Sequence, residues 1–178
     1  MADTLLVWLD IETTGLDWDS DYLLELASAV TDLDGHVLDR FAEVGRSGRR
    51  RLRPCIGIVG CSAGSRPAGG VGRDEDTVVD AWLEWAAGWA EGSRLILAGC
   101  GIARFDIPWV QSRRGNETAW PFYWREFDIS GALSAFRWCG APVELGPRPH
   151  TAGGDVDQII AEWRVMAARI RAGVEAGA

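Results

Sequence analysis

Leu5-Leu6-Val7-Trp8-Leu9-Asp10-Ile11-Glu12-Thr13-Thr14-Gly15-Leu16 decides the reading of this chain. The apolar run Leu5–Leu9 has the length and continuity of a buried strand. It ends in two acidic residues, which a bare hydrophobic core does not tolerate. Positions 10 and 12 share parity on a strand, so both carboxylates point to one face. Two like charges so placed repel and raise each other's pKa. Either they sit at a solvated strand end, or they share a divalent cation that takes hard oxygen ligands and neutralises them.

Working outward, Leu23–Leu33 and His36–Val44 read as two strands joined at Asp34-Gly35, a dipeptide that favours hairpin turns. Residues 76–90 place Val79, Trp82, Leu83, Ala86 and Trp89 at helical spacing. Leu95–Ala98 reads as a short buried strand. Ile107–Arg114 and Ser130–Cys139 read as helices. Asp155–Ala172 is a longer helix with a stripe of Val156, Ile159, Ile160, Trp163 and Ala167, and Gly173 is placed to stop it. Antiparallel strands followed by strand–helix alternation predict an α/β fold, a mixed sheet with helices packed on it.

Three separated motifs carry chemistry-bearing residues. The first is Asp10-Ile11-Glu12-Thr13-Thr14-Gly15. The second is Phe105-Asp106, after Leu95–Ala98 and a Gly-Cys-Gly turn. The third is His150-Thr151-Ala152-Gly153-Gly154-Asp155. In order and spacing they resemble the Asp-x-Glu-Thr-x-Gly, Phe-Asp and His-x-Ala-x-x-Asp motifs of the DEDDh family of 3′–5′ exonucleases, over about residues 5–170. Within that family the chain is most similar to the oligoribonucleases, through Leu6–Asp10, Leu23–Ala27, Val30–Asp32, Phe127–Ser130 and Ala161-Glu162. Gly101-Ile102-Ala103-Arg104 stands where the family often carries an Asn.

The resemblance implies a ribonuclease-H-like fold, with an N-terminal antiparallel hairpin meander plus parallel strands. It implies hydrolysis of 3′-terminal phosphodiesters of short RNA or single-stranded nucleic acid, releasing 5′-mononucleotides. Asp10, Glu12, Asp106 and Asp155 would hold two Mg²⁺ ions, with Mn²⁺ able to substitute. His150 would be the general base, a task suited to an imidazole whose ordinary pKa is about 6.5. Backbone amides around Thr13 and Thr14 would hold the terminal 3′-hydroxyl, and Leu16 would wedge against the last base. Gly153-Gly154 would let the His150 loop bend towards the site. Trp18 offers a face for base stacking; surface packing is its competing role. Two other functions share these residues. One is a DNA proofreading or repair exonuclease. The other is a non-catalytic module that holds nucleic-acid ends, though such a module has no need of all five catalytic residues.

Composition bounds the partners. The 178 residues fit a single exonuclease domain over 1–178. The formal charge is −8, and all 18 basic residues are Arg. That disfavours long duplexes, whose binding rests on many cationic contacts to phosphate. It leaves room for short 3′ ends whose charge is met by metal. The oligomeric state stays open, a homodimer being one assembly it allows. The four Cys lack zinc-like spacing, and no signal or membrane-spanning run is evident, so a cytoplasmic location is expected. Residues 45–73 stand apart. From Gly45 to Arg73 there is no acidic residue, no periodicity, and an Arg49-Arg50-Arg51-Leu52-Arg53 cluster. Three readings stay open for it: a basic substrate-contacting loop, a solvated insertion, or a stretch translated in an altered frame.

Overall fold

The computed structural model describes residues 3–17, 19–45 and 72–177. The expectations placed on Trp18, on Cys55 and Cys61, and on the Arg49–Arg53 cluster lie outside the described residues. The elements in chain order are β1 (Asp3–Thr13), β2 (Leu23–Thr31), β3 (Val37–Val44), α1 (Glu75–Ala90), β4 (Ser93–Gly99), α2 (Asp106–Arg113), β5 (Phe127–Asp128), α3 (Ile129–Trp138) and α4 (Ala152–Gly177). The sheet order is β3-β2-β1-β4-β5. β1 pairs antiparallel with β2, β2 pairs antiparallel with β3, and β4 runs parallel to both β1 and β5. This is the expected mixed sheet: a meander on one side, parallel strands on the other, helices on both faces.

β1 is central and buried on both sides, which explains its unbroken apolar run. Its odd residues Leu5, Val7, Leu9 and Ile11 pack with Val78, Val79, Trp82 and Leu83 of α1 and Trp109 and Val110 of α2. Its even residues Leu6 and Trp8 pack on the opposite face with Val156, Ile159 and Ile160 of α4. Trp8 is fully buried, and its indole N–H donates to Thr31 Oγ1 at 2.9 Å. The strand's only polar ring atom is thus satisfied inside the core. Asp10 and Glu12 continue the even row and emerge on the α4 face.

The β2–β3 turn spans residues 32–36. Asp32 organises it by accepting from the N–H groups of Asp34 (2.8 Å) and His36 (2.9 Å), and Gly35 takes φ 81°. At the far end of this hairpin, Gly45 and Arg73 form a parallel bridge, so the two ends of the atypical segment meet at the edge of β2 and β3.

Three sequence expectations need correction. The sequence pattern offers no strand at Phe127-Asp128, where β5 lies. It is a two-residue strand, too short for any period to show. α4 begins three residues before the predicted Asp155 and runs through Gly173 to Gly177. Residues 168–177 of the helix are exposed, and nothing stands within 4 Å of where a Cβ on Gly173 would lie. Gly153 and Gly154 are therefore helical rather than loop residues. Trp82 is a core residue as expected, while Trp89 and Trp163 are half-buried at the margins of the two cores. No helix among the described residues is long and apolar enough to cross a membrane.

Candidate active site

The site lies at the carboxyl ends of the parallel strands β1 and β4, where α/β sheets open a crevice. Three elements supply its acids. Asp10 and Glu12 come from the end of β1, Asp106 is the first residue of α2, and Asp155 lies in the first turn of α4. Oxygens of Asp10, Glu12 and Asp155 lie within 4.8 Å of one another. Asp106 stands beside them: its Oδ1 accepts from the Ile11 N–H at 3.1 Å, and its charge acts on Asp10. Phe105, just before it, tucks against Trp109 at 5.5 Å and anchors the start of α2. Asp106 and Asp155 are both buried.

Burial first, then the neighbouring Asp106, Asp155 and Glu12, push the Asp10 carboxyl up to about 8. Burial likewise raises Asp106 to about 7, against the pull of backbone N–H donors including that of Ile11. Glu12 is raised by burial and by Asp155 and Glu25, and His150 works in the other direction. Asp155 Oδ1 is buried and has no hydrogen-bond partner among the described residues. Convergent carboxylates, an orphaned buried oxygen and upward-shifted acids together fit a divalent cation held by hard oxygen ligands. A second acidic group, Asp32, Asp34 and His36, is accounted for by the hairpin turn and by ion pairs. Asp32 binds His36 at 2.9 Å, and Asp34 pairs with Arg171.

His150 is exposed and lies two residues before the start of α4. Its backbone takes φ 58°, the only non-glycine positive φ among the described residues. The bend expected of Gly153-Gly154 is thus made by His150 itself, which costs backbone strain that other contacts must hold. Gly154 is required for a different reason. A Cβ there would stand 2.8 Å from Pro149 Cβ and from Thr151 Oγ1. The tight turn into α4 needs that space.

The first-motif loop is organised by Asp21. Asp21 accepts from Thr14 Oγ1 (2.9 Å) and from the Asp17 N–H (3.0 Å). Thr13 Oγ1 donates to Gly15 O at 2.6 Å. The Thr14 N–H donates to Tyr22 O at 2.9 Å. A Cβ on Gly15 would lie 2.3 Å from Asp21 Oδ2, which is why the motif needs glycine there. Gly15→Ala displaces the Asp21 carboxylate and breaks its two bonds. The expected loss is about 1–2 kcal/mol, read by denaturant unfolding, with Asp21→Ala giving a loss of similar size. Leu16 is 67% exposed beside this loop, so core packing is not its role.

Glu25 is a further residue that the sequence did not single out. It lies directly opposite Glu12 in the β1–β2 register, a position where like charges destabilise a sheet. Its Oε2 accepts the N–H of Ala152, the first residue of α4, at 3.2 Å. Glu25 thereby satisfies one of the open donors at the helix start. It also ties β2 to the segment carrying His150 and Asp155. Asp128 does a similar job on the other side, accepting from the Gly101 N–H (3.0 Å) and the Ser130 N–H (2.9 Å).

No family model matches the chain. Short segments do match curated proteins. An oligoribonuclease of Nocardia farcinica is 53% identical over 38 residues, 21% of this chain and 18% of that protein. One of Mycobacterium tuberculosis is 58% identical over 33 residues, 18% of this chain and 15% of that protein. The matches thus span less than a fifth of those relatives' own length. Among solved structures, exonuclease I from Methylocaldum szegediense aligns over 94% of this chain and 41% of its own, with TM-score 0.61 and 19% identity. E. coli exonuclease I in complex with a dT13 oligonucleotide aligns over 97% of this chain and 43% of its own, with TM-score 0.62 and 12% identity. By its motifs, by these short stretches of identity and by its fold over nearly the whole chain, the protein is similar to the DEDDh 3′–5′ exonucleases, and within them to oligoribonuclease.

Proposed function

We propose that this protein is a metal-dependent 3′–5′ exonuclease that removes 5′-mononucleotides from short RNA or single-stranded nucleic acid. The observation that carries the reading is the convergence of Asp10, Glu12 and Asp155 within 4.8 Å, with Asp106 beside them. Those four residues would hold two divalent ions, Mg²⁺ by preference and Mn²⁺ as a substitute. When bound, the ions would stabilise charge on the attacking and leaving oxygens of the displacement.

The chain's own residues do the rest. Asp106 and Asp155 are fixed at helix starts, so their carboxylates are oriented before substrate arrives. His150 is exposed, and its charge acts on Glu12; in this reading it would accept a proton from the attacking water. The α4 N-terminus, held to β2 by Glu25, keeps His150 and Asp155 in a fixed relation. Leu16, exposed beside the first-motif loop, is offered as the surface on which the terminal base rests, with Thr13 and Thr14 shaping the loop beneath it. Trp18 is a proposed stacking partner.

His150→Ala is expected to lower kcat roughly 10²–10⁴-fold, the usual worth of a positioned acid–base group. Calorimetric titration should show metal affinity little changed. Lost metal affinity would make His150 a ligand instead. The function itself is tested with labelled RNA and DNA strands of two to about twenty nucleotides, each with Mg²⁺, Mn²⁺ or chelator. The expected result is one-nucleotide shortening from the 3′ end, fastest on short RNA. Faster trimming of a long DNA primer would make DNA the substrate. Binding of ends without cleavage would make the protein an end-binding module.

A further inference from the structure

Between α3, the 139–148 loop and α4 lies a cavity of ≈ 750 Å³. Its wall includes Cys100 at the exit of β4, Ser130 and Arg137 of α3, Arg148, and Gln158 and Glu162 of α4. Glu162 is 5% exposed. A carboxylate so buried needs a cation or donors. It receives Arg148 Nη2 at 3.3 Å and, more weakly, Gln158 Nε2 at 3.5 Å. Gln158 also donates to Gly146 O at 3.0 Å, fixing the loop that delivers Arg148.

The guanidinium is held but not used up. It carries five N–H donors in a planar fork, and the contact with Glu162 is its one hydrogen bond among the described residues. Its side chain remains 29% exposed, on the cavity wall. It lies two residues before His150, and its positive charge reaches Asp10, where it opposes the upward push of the other carboxylates. Arg148 therefore stands where the cavity meets the carboxylate cluster. Arg is the residue whose fork matches phosphate oxygens.

Taking the exonuclease reading as given, we propose that Arg148 binds a phosphate of the nucleic-acid strand lying in this cavity, and that Glu162 is a positioning residue that holds its guanidinium.

The test measures binding separately from turnover. Anisotropy titrations use the 178-residue protein, a 5′-fluorescein-labelled pentaadenylate and Ca²⁺, across a salt series. The wild type, Arg148→Gln, Arg148→Lys and Glu162→Gln are compared. Arg148→Gln is expected to raise Kd about tenfold or more. It should also flatten the slope of log K against log salt by about 0.7, the value for one lost single-strand phosphate contact. Arg148→Lys keeps the charge and should keep the slope while losing part of the affinity. Glu162→Gln keeps the cation and should give an intermediate Kd. A mere structural clamp predicts lower thermal stability with wild-type slope and Kd in every variant, and that result overturns the proposal. Should Arg148→Gln fail to fold, an unchanged Kd in both Arg148→Lys and Glu162→Gln overturns it equally. A wild type that binds in this Arg148-dependent way but cleaves nothing with Mg²⁺ would refute the exonuclease reading alone. A wild type that cleaves while Arg148→Gln binds normally would refute the Arg148 role alone.

Discussion

Asp10→Asn is expected to abolish practical turnover and, without metal, to make the protein more stable. The loss of activity should be roughly 10³-fold or more, comparable with or beyond removal of a single electrostatic stabiliser from other active sites. The gain in stability follows from the geometry. Asp10 sits at a strand end, pushed up to about 8 by burial and by Asp106, Asp155 and Glu12. At pH 8 in chelator, the folded protein must hold that carboxyl protonated or tolerate its repulsion. An amide of the same shape removes both costs, on the order of a few kcal/mol before relaxation is allowed for. Differential scanning fluorimetry in chelator should therefore show Asp10→Asn melting above the wild type. With saturating Mg²⁺ the order should reverse. Retained turnover in Asp10→Asn, or a melting point below wild type in chelator, would contradict the role given to Asp10.

The second large effect is a pH dependence of stability that metal reverses. Asp10 and Asp106 have folded-state values of about 8 and about 7, against ordinary values near 3.8, and Glu12 is also raised. Between the unfolded and folded values, the native chain binds more protons than the unfolded chain. Stability in chelator therefore falls as pH rises from about 4 through about 8. Below that window the acids are protonated in both states and the penalty is absent. Above it the penalty is complete. A divalent ion binds the deprotonated native site and adds stability by mass action. The difference in Tm with and without Mg²⁺ should be small at pH 5 and largest near pH 8. A difference that does not change with pH would contradict the clustering of these acids.

Much of this was legible in the sequence because the signals are local. The run Leu5–Leu9 announced a buried strand, and the parity of Asp10 and Glu12 put both carboxylates on one face. The structure shows that face meeting α4, where Asp155 waits. Asp106 opens a helix as the residues after it suggested. Less legible was anything set by pairing across distance. Glu25 opposes Glu12 through a register that no short window of sequence reveals, and its bond to Ala152 joins residues 127 positions apart. Asp21 matters because it folds over Gly15, and Arg148 because Glu162 lies one side chain away on α4. The start of α4 was misjudged for a related reason. Gly153-Gly154 looks like a bend, yet both glycines are helical, with the Ala152 N–H just ahead of them taken by the Glu25 carboxylate. His150 then takes the positive φ that glycine was expected to supply.

The most direct test of the central claim is a time course on a 5′-labelled pentaribonucleotide, run with Mg²⁺ and with chelator. The account predicts a ladder that shortens by one nucleotide at a time from the 3′ end with Mg²⁺, and an intact strand in chelator. Internal cleavage products, or a ladder that persists in chelator, would contradict it.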